Sequence, residues 1–422
     1  MAKEILRKEV LEKIDQLGTV DLVVGIPSYN NAETIGGVVK AFGEGIKRYY
    51  PNAEALIINS DGGSKDDTAE IFYKPDLPTN VERISTVYQG PSGKGSALRT
   101  VFETAQALNT KICLVTDADC RTNDPRWAEQ LSRPICDGLC GFVTPLYLRD
   151  KHDATITNGL IYPLTRALYG RGVRQPIGGD FGISGGLLPV FTNELHWKKL
   201  PEISAFGVDI WLTTTAICEG IQIYQTSLGQ KIHQPKEPGK DLLTMFRQVV
   251  GTTFDLMGSY VSKWMKVTTS QPVPIFGEEP FGEIEDVQVD STAMLDTFHE
   301  GYQSYKELWQ NILSPESFKA ITKIREKSFS EYIFPVDCWA YVVYDFAVYY
   351  NAKCDSQSKK EEVLAAMIPL YLGRTASYVR ELAIISDELA DAFVRGCAHV
   401  FERLKPYLVN RWNQKITFLD IS

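Results

Sequence analysis

The sequence predicts an α/β protein: a doubly wound, mostly parallel sheet followed by a mainly α-helical C-terminal region. Three observations lead to that class. Short apolar runs alternate with amphipathic helical stretches over the first half of the chain. The loops that close those runs are rich in Pro, Gly, Ser and Asp. Beyond residue 290 the strand signals fade and the apolar spacing becomes helical.

Residues 3–17 read as a helix whose irregular apolar face is Ile5, Leu6, Val10, Leu11, Ile14 and Leu17. Asp21 to Ile26 is an apolar strand, closed by the turn Pro27-Ser28-Tyr29-Asn30-Asn31. Thr34 to Tyr50 is an amphipathic helix, and Ala55 to Asn59 a second strand. The loop Ser60-Asp61-Gly62-Gly63-Ser64 leads to a helix from Asp66. Ile84 to Tyr88 is a third strand, Gly93-Lys94-Gly95 opens a helix through Ala107, and Lys111 to Thr116 is a fourth strand. Ile221 to Tyr224 is strand-like. Val267 to Asp290, rich in Pro, Gly and acids, reads as a loop. Leu295, Phe298, Tyr302, Tyr305 and Trp309 then follow a helical spacing. Ser314-Pro315-Glu316 is an N-cap with proline at the first helical position, and Ser386-Asp387-Glu388 starts another helix. The aromatic stretch Tyr341 to Tyr350 reads as core or as the interface of a homo-oligomer, a dimer through the helical region. We divide the chain into a sheet domain over 1–265 that carries the candidate ligand-binding loops, a linker over 266–290 and a helical domain over 291–422.

The chain has 422 residues, 44% hydrophobic and 23% charged, as globular domains do. A net charge of −9 argues against a nucleic-acid binder. No apolar stretch is long enough to span a bilayer. The eight cysteines are scattered without a C-x-x-C pair, and the N-terminus lacks an apolar signal core. These features predict a cytoplasmic protein with free thiols.

The chemistry lies at the strand ends. Asp117-Ala118-Asp119 closes the fourth strand with two carboxylates, where open α/β sheets bind ligands. Hard divalent cations take oxygen ligands and leave positions open for phosphate oxygens. Gly93-Lys94-Gly95 places a point charge and helix N–H groups where an anion is favoured. The turn at Pro27 and Tyr29, with Glu33 following, can face a base or ribose, and so can Ser60 and Asp61. Gln175-Pro176-Ile177-Gly178-Gly179-Asp180 suits close packing of a sugar, with Asp180 able to bind hydroxyls. Asp209, before an apolar helix, serves either a ligand or the helix dipole. His233 follows a strand-like run and can serve Mn²⁺ better than Mg²⁺.

Taken in order, these segments resemble those of GT-A-fold nucleotide-sugar glycosyltransferases. They are most similar to the retaining enzymes that make mannosylglycerate and to the glucosyl-3-phosphoglycerate synthases. Gln175 to Asp180 resembles that family's Gln-Pro-Leu-Gly-Gly-Glu segment, with Asp in place of Glu. Gly207-Val208-Asp209 resembles its Gly-[Val/Ile]-[Asp/Glu] segment. Lys231-Ile232-His233, running into Asp241-Leu242-Leu243-Thr244-Met245, resembles its metal-binding His followed by Asp-Leu-x-x-Met. Arg149 and Asp153 to Thr157 resemble the acceptor segment of mannosylglycerate synthase.

The resemblance implies a GT-A fold and a divalent metal, Mg²⁺ or Mn²⁺, held by Asp119 and His233 with Asp117 nearby. It implies a nucleotide-sugar donor (GDP or UDP, glucose or mannose) and transfer with retention to glycerate or a related acid. The donor would meet Pro27, Tyr29, Glu33, Ser60 and Asp61 at the base side, and Lys94, Asp117, Gly178 and Gly179 at the diphosphate and sugar. Asp119, Asp180, Asp209 and Lys94 would carry the catalysis. Arg149, Asp153 and Thr157, four residues apart on one helical face, would hold the acceptor. Two departures matter. Ala154-Thr155 stands where phosphoglycerate-dependent synthases carry Gly-Arg, which favours free glycerate over 3-phosphoglycerate or glucosylglycerate. Gln234 stands where the family commonly has Arg. Two rival readings are a nucleotidyltransferase, which would show G-x-G-T-R after the first strand, and a non-catalytic sugar-nucleotide-binding protein.

Overall fold

The computed structural model describes residues 5–232, 240–278, 284 and 287–417. The chain forms two compact units. The first is Met1–Leu148, Val173–Pro238 and Val273–Ile284, and the second is Arg149–Gly172, Gly239–Pro272 and Glu285–Ser422. The sheet domain drawn over 1–265 is therefore shared between them. Residues 149–172 and 239–265 associate with the helical region, because their apolar faces pack there.

The first unit is built on helix α1 (Lys8–Leu17), strand β1 (Leu22–Ser28), helix α2 (Ile35–Tyr49) and strands β2 (Ala55–Asp61) and β3 (Val81–Val87). Helix α3 (Lys94–Ala107), strand β4 (Ile112–Val115), helix α4 (Arg126–Cys136) and strand β5 (Phe142–Leu148) follow. Strand β6 (Phe181–Ser184), helix α5 (Val208–Cys218), strand β7 (Ile223–Gln230) and strand β8 (Ile275–Phe276) come next, with short helices at Thr68–Phe72, Leu188–Phe191 and Glu194–Lys199 among these elements. Among the described residues these eight strands form one sheet in the order β8-β7-β5-β6-β4-β1-β2-β3, and Arg171–Gly172 pairs with Gln271–Pro272 in a separate two-stranded sheet of the second unit. All neighbours are parallel except β6, which runs antiparallel to both β4 and β5. This large, mostly parallel mixed sheet with flanking helices is the doubly wound α/β class that the sequence predicts.

The central strands are apolar because helices cover both faces of the sheet. Val23, Val24, Ile26, Ile57, Ile58 and Leu114 have no exposed surface. Each such side chain contributes roughly 1.5–3 kcal/mol by burial. Strands β5 and β6 carry no alternation and have no counterpart in the sequence prediction. The run expected at Ile221–Tyr224 starts later and extends to Gln230.

The second unit contains helices Lys240–Ser259, Ser291–Ile312, Pro315–Arg325, Val336–Lys353, Gln357–Leu382 and Asp387–Thr417. Ser314 caps its helix as expected, its Oγ accepting from the Ser317 N–H at 3.0 Å. Leu295, Phe298, Tyr302 and Trp309 are buried along one helix face. Tyr344, Phe346 and Tyr350 are core residues of this unit. Asp345 has no exposed surface and accepts from Arg411 Nε at 3.0 Å, Tyr407 Oη at 2.7 Å and the Ser314 N–H at 2.9 Å. That buried charge therefore ties three segments together. Among the described residues no helix is long and apolar enough to cross a membrane.

Candidate functional site

The D-x-D carboxylates follow β4 at the edge where the parallel strands end. Strand β6, being antiparallel, begins at this same edge, with Phe181 paired to Val115. Asp180, just before it, thus lies beside Asp117, whose N–H donates to Asp180 Oδ1 at 3.1 Å. Strand β7 runs parallel to β5 and delivers Lys231 to the same edge. Lys231 Nζ sits 2.8 Å from Asp117 Oδ2 and 2.5 Å from Asp180 Oδ2. It also donates to the Gly178 carbonyl at 3.0 Å. Tyr147 Oη, on β5, donates to Asp180 Oδ2 as well.

Lysine is rarely buried unless paired, and the Lys231 side chain is wholly buried. Glycine at 179 is required by two facts. Its φ is +90°, and a Cβ there would come within 2.1 Å of Asp117 Oδ2. Gly178 is packed on Pro145, where a Cβ would meet Cγ at 2.2 Å. The two glycines thus fit backbone against the acid pair.

Lys94, the first residue of α3, reaches Asp117 Oδ1 at 2.7 Å and Asp209 Oδ2 at 3.0 Å. Burial alone disfavours its ammonium, but Asp117 and then Asp209 overcome that and hold its pKa above the ordinary lysine value. The helix start is covered by the 203–205 segment: a Cβ at Gly95 would meet the Ile203 carbonyl at 1.7 Å. The Gly95 N–H donates to the Ala205 carbonyl at 3.2 Å, so this amide is already committed. Asp209 lies in the first turn of α5. Its Oδ1 is buried without a hydrogen-bond partner. Burial raises its pKa, Lys94 works against that rise, and the like charge of Asp117 adds to it.

Asp119 is half-buried at the mouth of this cluster. The loop around it is fixed on two sides. Thr34 Oγ1 donates to the Ala118 carbonyl at 2.7 Å. The Arg121 N–H donates to the Ile232 carbonyl at 2.9 Å, and Thr122 Oγ1 to the Gln230 carbonyl at 2.7 Å. His233 lies outside the described residues. Among the described residues no three His, Cys, Asp or Glu side chains form a metal-holding group. Asp119 carries the hard oxygens that Mg²⁺ or Mn²⁺ takes; both Asp117 oxygens are within reach of ammonium groups, Lys94 at 2.7 Å and Lys231 at 2.8 Å. Asp119 fits a metal, and Asp117 fits one only if a lysine yields.

The base-side residues gather at the ends of β1 and β2. Asp61 is 4% exposed, and its carboxylate is committed to its own turn. Oδ2 accepts from the Gly63 and Ser64 N–H groups at 2.8 and 2.7 Å, and Oδ1 from Ser28 Oγ at 3.0 Å. Ser60 Oγ is buried without a partner. Tyr29 is 58% exposed beside this turn, so an aromatic face is available to a ligand. Glu33 is exposed, and Pro27 is half-buried in β1.

Asp180 departs from expectation. It has no exposed surface, and both its oxygens are engaged by protein groups rather than turned to the open site. Lys231 and Tyr147 were missed by sequence reasoning. The one available signal was a lysine directly after a buried strand.

Arg149, Asp153 and Thr157 belong to the second unit. Arg149 Nη1 pairs with Asp153 Oδ2 at 3.0 Å. They do not share a helical face, because residues 149–154 are irregular chain, turn and bend with no helix before Thr155, and Ala154, with φ 53°, separates Asp153 from that helix. Thr157 is buried at the start of a π-helical turn, Thr157–Ile161. His152, also missed, has Nδ1 3.6 Å from Asp150 Oδ1 and a buried Nε2 without a partner.

Residues 23–184 match the family model described as glycosyl transferase family 2. The matched segment carries the β1 turn, Asp61, Lys94, the D-x-D and Asp180. The resemblance to a nucleotide-sugar glycosyltransferase thus holds over this segment. No curated protein sequence matches the chain. Among solved structures, the chain is similar to glucosyl-3-phosphoglycerate synthase from Mycobacterium tuberculosis in complex with Mn²⁺, UDP and glucosyl-3-phosphoglycerate. The identity is 23%, the TM-score 0.45, and the match covers 59% of this chain and 84% of that one. The same enzyme with Mg²⁺ and UDP gives 23%, 0.45, 59% and 83%. Its complex with Mn²⁺, UDP-glucose and phosphoglyceric acid gives 23%, 0.44, 59% and 84%.

Proposed function

We propose that the protein is a retaining hexosyltransferase that moves glucose or mannose from a GDP- or UDP-sugar to D-glycerate or a closely related acid. The observation that carries this reading is the joining of the D-x-D, Lys94 and Asp209 by direct ion pairs, within a segment that matches glycosyl transferase family 2. A divalent cation held by Asp119 and His233 would supply Lewis-acid stabilisation of the leaving diphosphate. The chain's own residues do the rest. Lys94 lends positive charge to the same phosphates in a site that largely excludes water. Asp209 Oδ1, buried and unpartnered, accepts a hydroxyl of the transferred sugar. Tyr29 stacks on the base, while Asp61 orders the turn that flanks it.

Asp180 is sealed and paired, so it is not a nucleophile. Transfer on the front face, with the leaving phosphate taking the acceptor proton, accounts for retention. The test is a crossed panel of GDP-glucose, GDP-mannose, UDP-glucose and UDP-mannose with glycerate, 3-phosphoglycerate and glucosylglycerate. Product from a single donor with glycerate is expected. Binding of every donor without transfer or hydrolysis would leave a sugar-nucleotide-binding protein instead.

Two predictions belong to this reading. Arg149→Ala should reduce kcat/KM for the acid by roughly 30-fold or more, with donor affinity little changed. An Arg149–Asp153 pair that is only a surface salt bridge is worth under about 1 kcal/mol and would leave glycerate kinetics unaltered. Lysine at 149 should rescue in part, supplying charge without the planar fork. His233→Ala should raise the Mn²⁺ concentration that half-saturates activity. A titration that superimposes on that of the unaltered protein removes His233 from the ligand set.

A further inference from the structure

We propose that Lys231 is a positioning residue, whose sealed ammonium, tied to Asp180, sets the orientation of the Asp117 carboxylate; this rests on the transfer reading above. Three observations carry it. The Lys231 side chain has 0% exposure, against 13% for Lys94 and 19% for Asp117. A ligand in the cleft therefore meets Lys94 and Asp117 before it can meet Lys231.

The lysine also has a counter-charge of its own. Asp180 is fully buried, and Lys231, Tyr147 Oη and the Asp117 N–H satisfy its two oxygens. A carboxylate in that place needs a fixed cation, or its burial is costly. The pair is neutral by itself, so Lys231 adds no net charge to the donor site once Asp180 is counted.

The third observation concerns what the pair holds. Asp117 is gripped from three directions. Lys231 takes Oδ2, Lys94 takes Oδ1, and the Gly179 backbone packs so closely on the carboxylate that a Cβ there would come within 2.1 Å of Oδ2. With its N–H on Asp180 as well, Asp117 keeps its backbone and side chain referenced to one buried pair. Side chains that must meet a reacting group are held this way by neighbours that never touch it.

The test uses Asp180→Asn/Lys231→Met, which removes both charges together and leaves neither orphaned. Thermal unfolding should stay within a few degrees of the unaltered protein. The kcat should fall about 30-fold or more while donor KM moves less than about threefold. A crystal structure of the variant should show the Asp117 carboxylate turned from Lys94. Unchanged kcat with an unmoved carboxylate overturns the proposal. Intact kcat with nucleoside diphosphate binding weakened tenfold or so in calorimetry also overturns it, because that is a direct donor contact.

If the double variant does not fold, Tyr147→Phe replaces it, removing only a hydroxyl from Asp180. A several-fold loss of kcat at constant donor KM is then expected, and no loss overturns the proposal. If the unaltered protein transfers sugar from no donor, the transferase reading fails. The orientation of Asp117 in the variant still decides whether Lys231 positions it.

Discussion

Asp119→Ala is expected to lose transfer by on the order of 10³-fold, or about 4 kcal/mol of transition-state stabilisation. Its thermal unfolding should barely move. Asp119 is half-buried at the mouth of the site, and the loop that carries it is held by Thr34, Thr122 and the 230–232 backbone. In the proposed reading the carboxylate serves a cation, and the hydrogen bonds of Thr34, Thr122 and the Arg121 N–H hold the loop whatever stands at 119. Substitutions away from packing and buried charge usually stay within about 0.5 kcal/mol. The check pairs a melt with single-turnover transfer at saturating Mn²⁺. A folded Asp119→Ala protein with ordinary turnover would end the metal hypothesis.

Lys94→Met should differ in kind, losing stability and activity together. Its ammonium stands between Asp117 and Asp209. Removing it leaves two carboxylates close to each other with less compensation. Breaking a buried pair in this way costs about 3–5 kcal/mol. The second substitution in Lys94→Met/Asp209→Asn removes one of the stranded charges, so it should recover much of the melting temperature. It should not recover transfer, since the diphosphate still lacks its cationic side chain. Because the pKa of Lys94 is held above the ordinary lysine value, its contribution is complete below that value and is lost only as pH rises through the folded-state pKa. The stability gap between Lys94→Met and the unaltered protein should therefore persist over about pH 7–9. Equal melting temperatures for the two proteins at neutral pH would show that the pair carries no net stability.

The parts of the site that were legible in the sequence are those with local signatures. A D-x-D after an apolar run, and a lysine between glycines at a helix start, announce themselves within a few residues. The parts that were hidden depend on pairing between distant strands. Four residues, Phe181–Ser184, carry no periodicity that marks an antiparallel strand, yet that strand decides that Asp180 is buried behind Asp117. Lys231 is legible as a lysine, but its partners come from β4, β5 and the turn before β6. The i, i+4 spacing of Arg149 and Asp153 suggests a helix face, but 149–154 fold as irregular chain, turn and bend, and the positive φ of Ala154 sets the helix that follows apart from them. Asp61 shows a further limit. The acid after a strand was visible, but its capture by Gly63, Ser64 and Ser28 was not.

The discontinuity of the first unit bears on how the protein is made. Asp117 and Asp180 leave the ribosome before Lys231, and the second unit's 149–172 segment intervenes between the first two. Until β7 has been synthesised, the nascent sheet carries two acids at an edge that lacks its principal cation. A fragment ending at Leu148 would hold β1 to β5 but never receive β6, β7 or Lys231. Such a fragment should aggregate or remain bound to chaperones, although its strands are as apolar as those of the whole chain. In the order of synthesis, the site's ion pairs are therefore complete only after the chain has left the first unit at 149 and returned to it at 173.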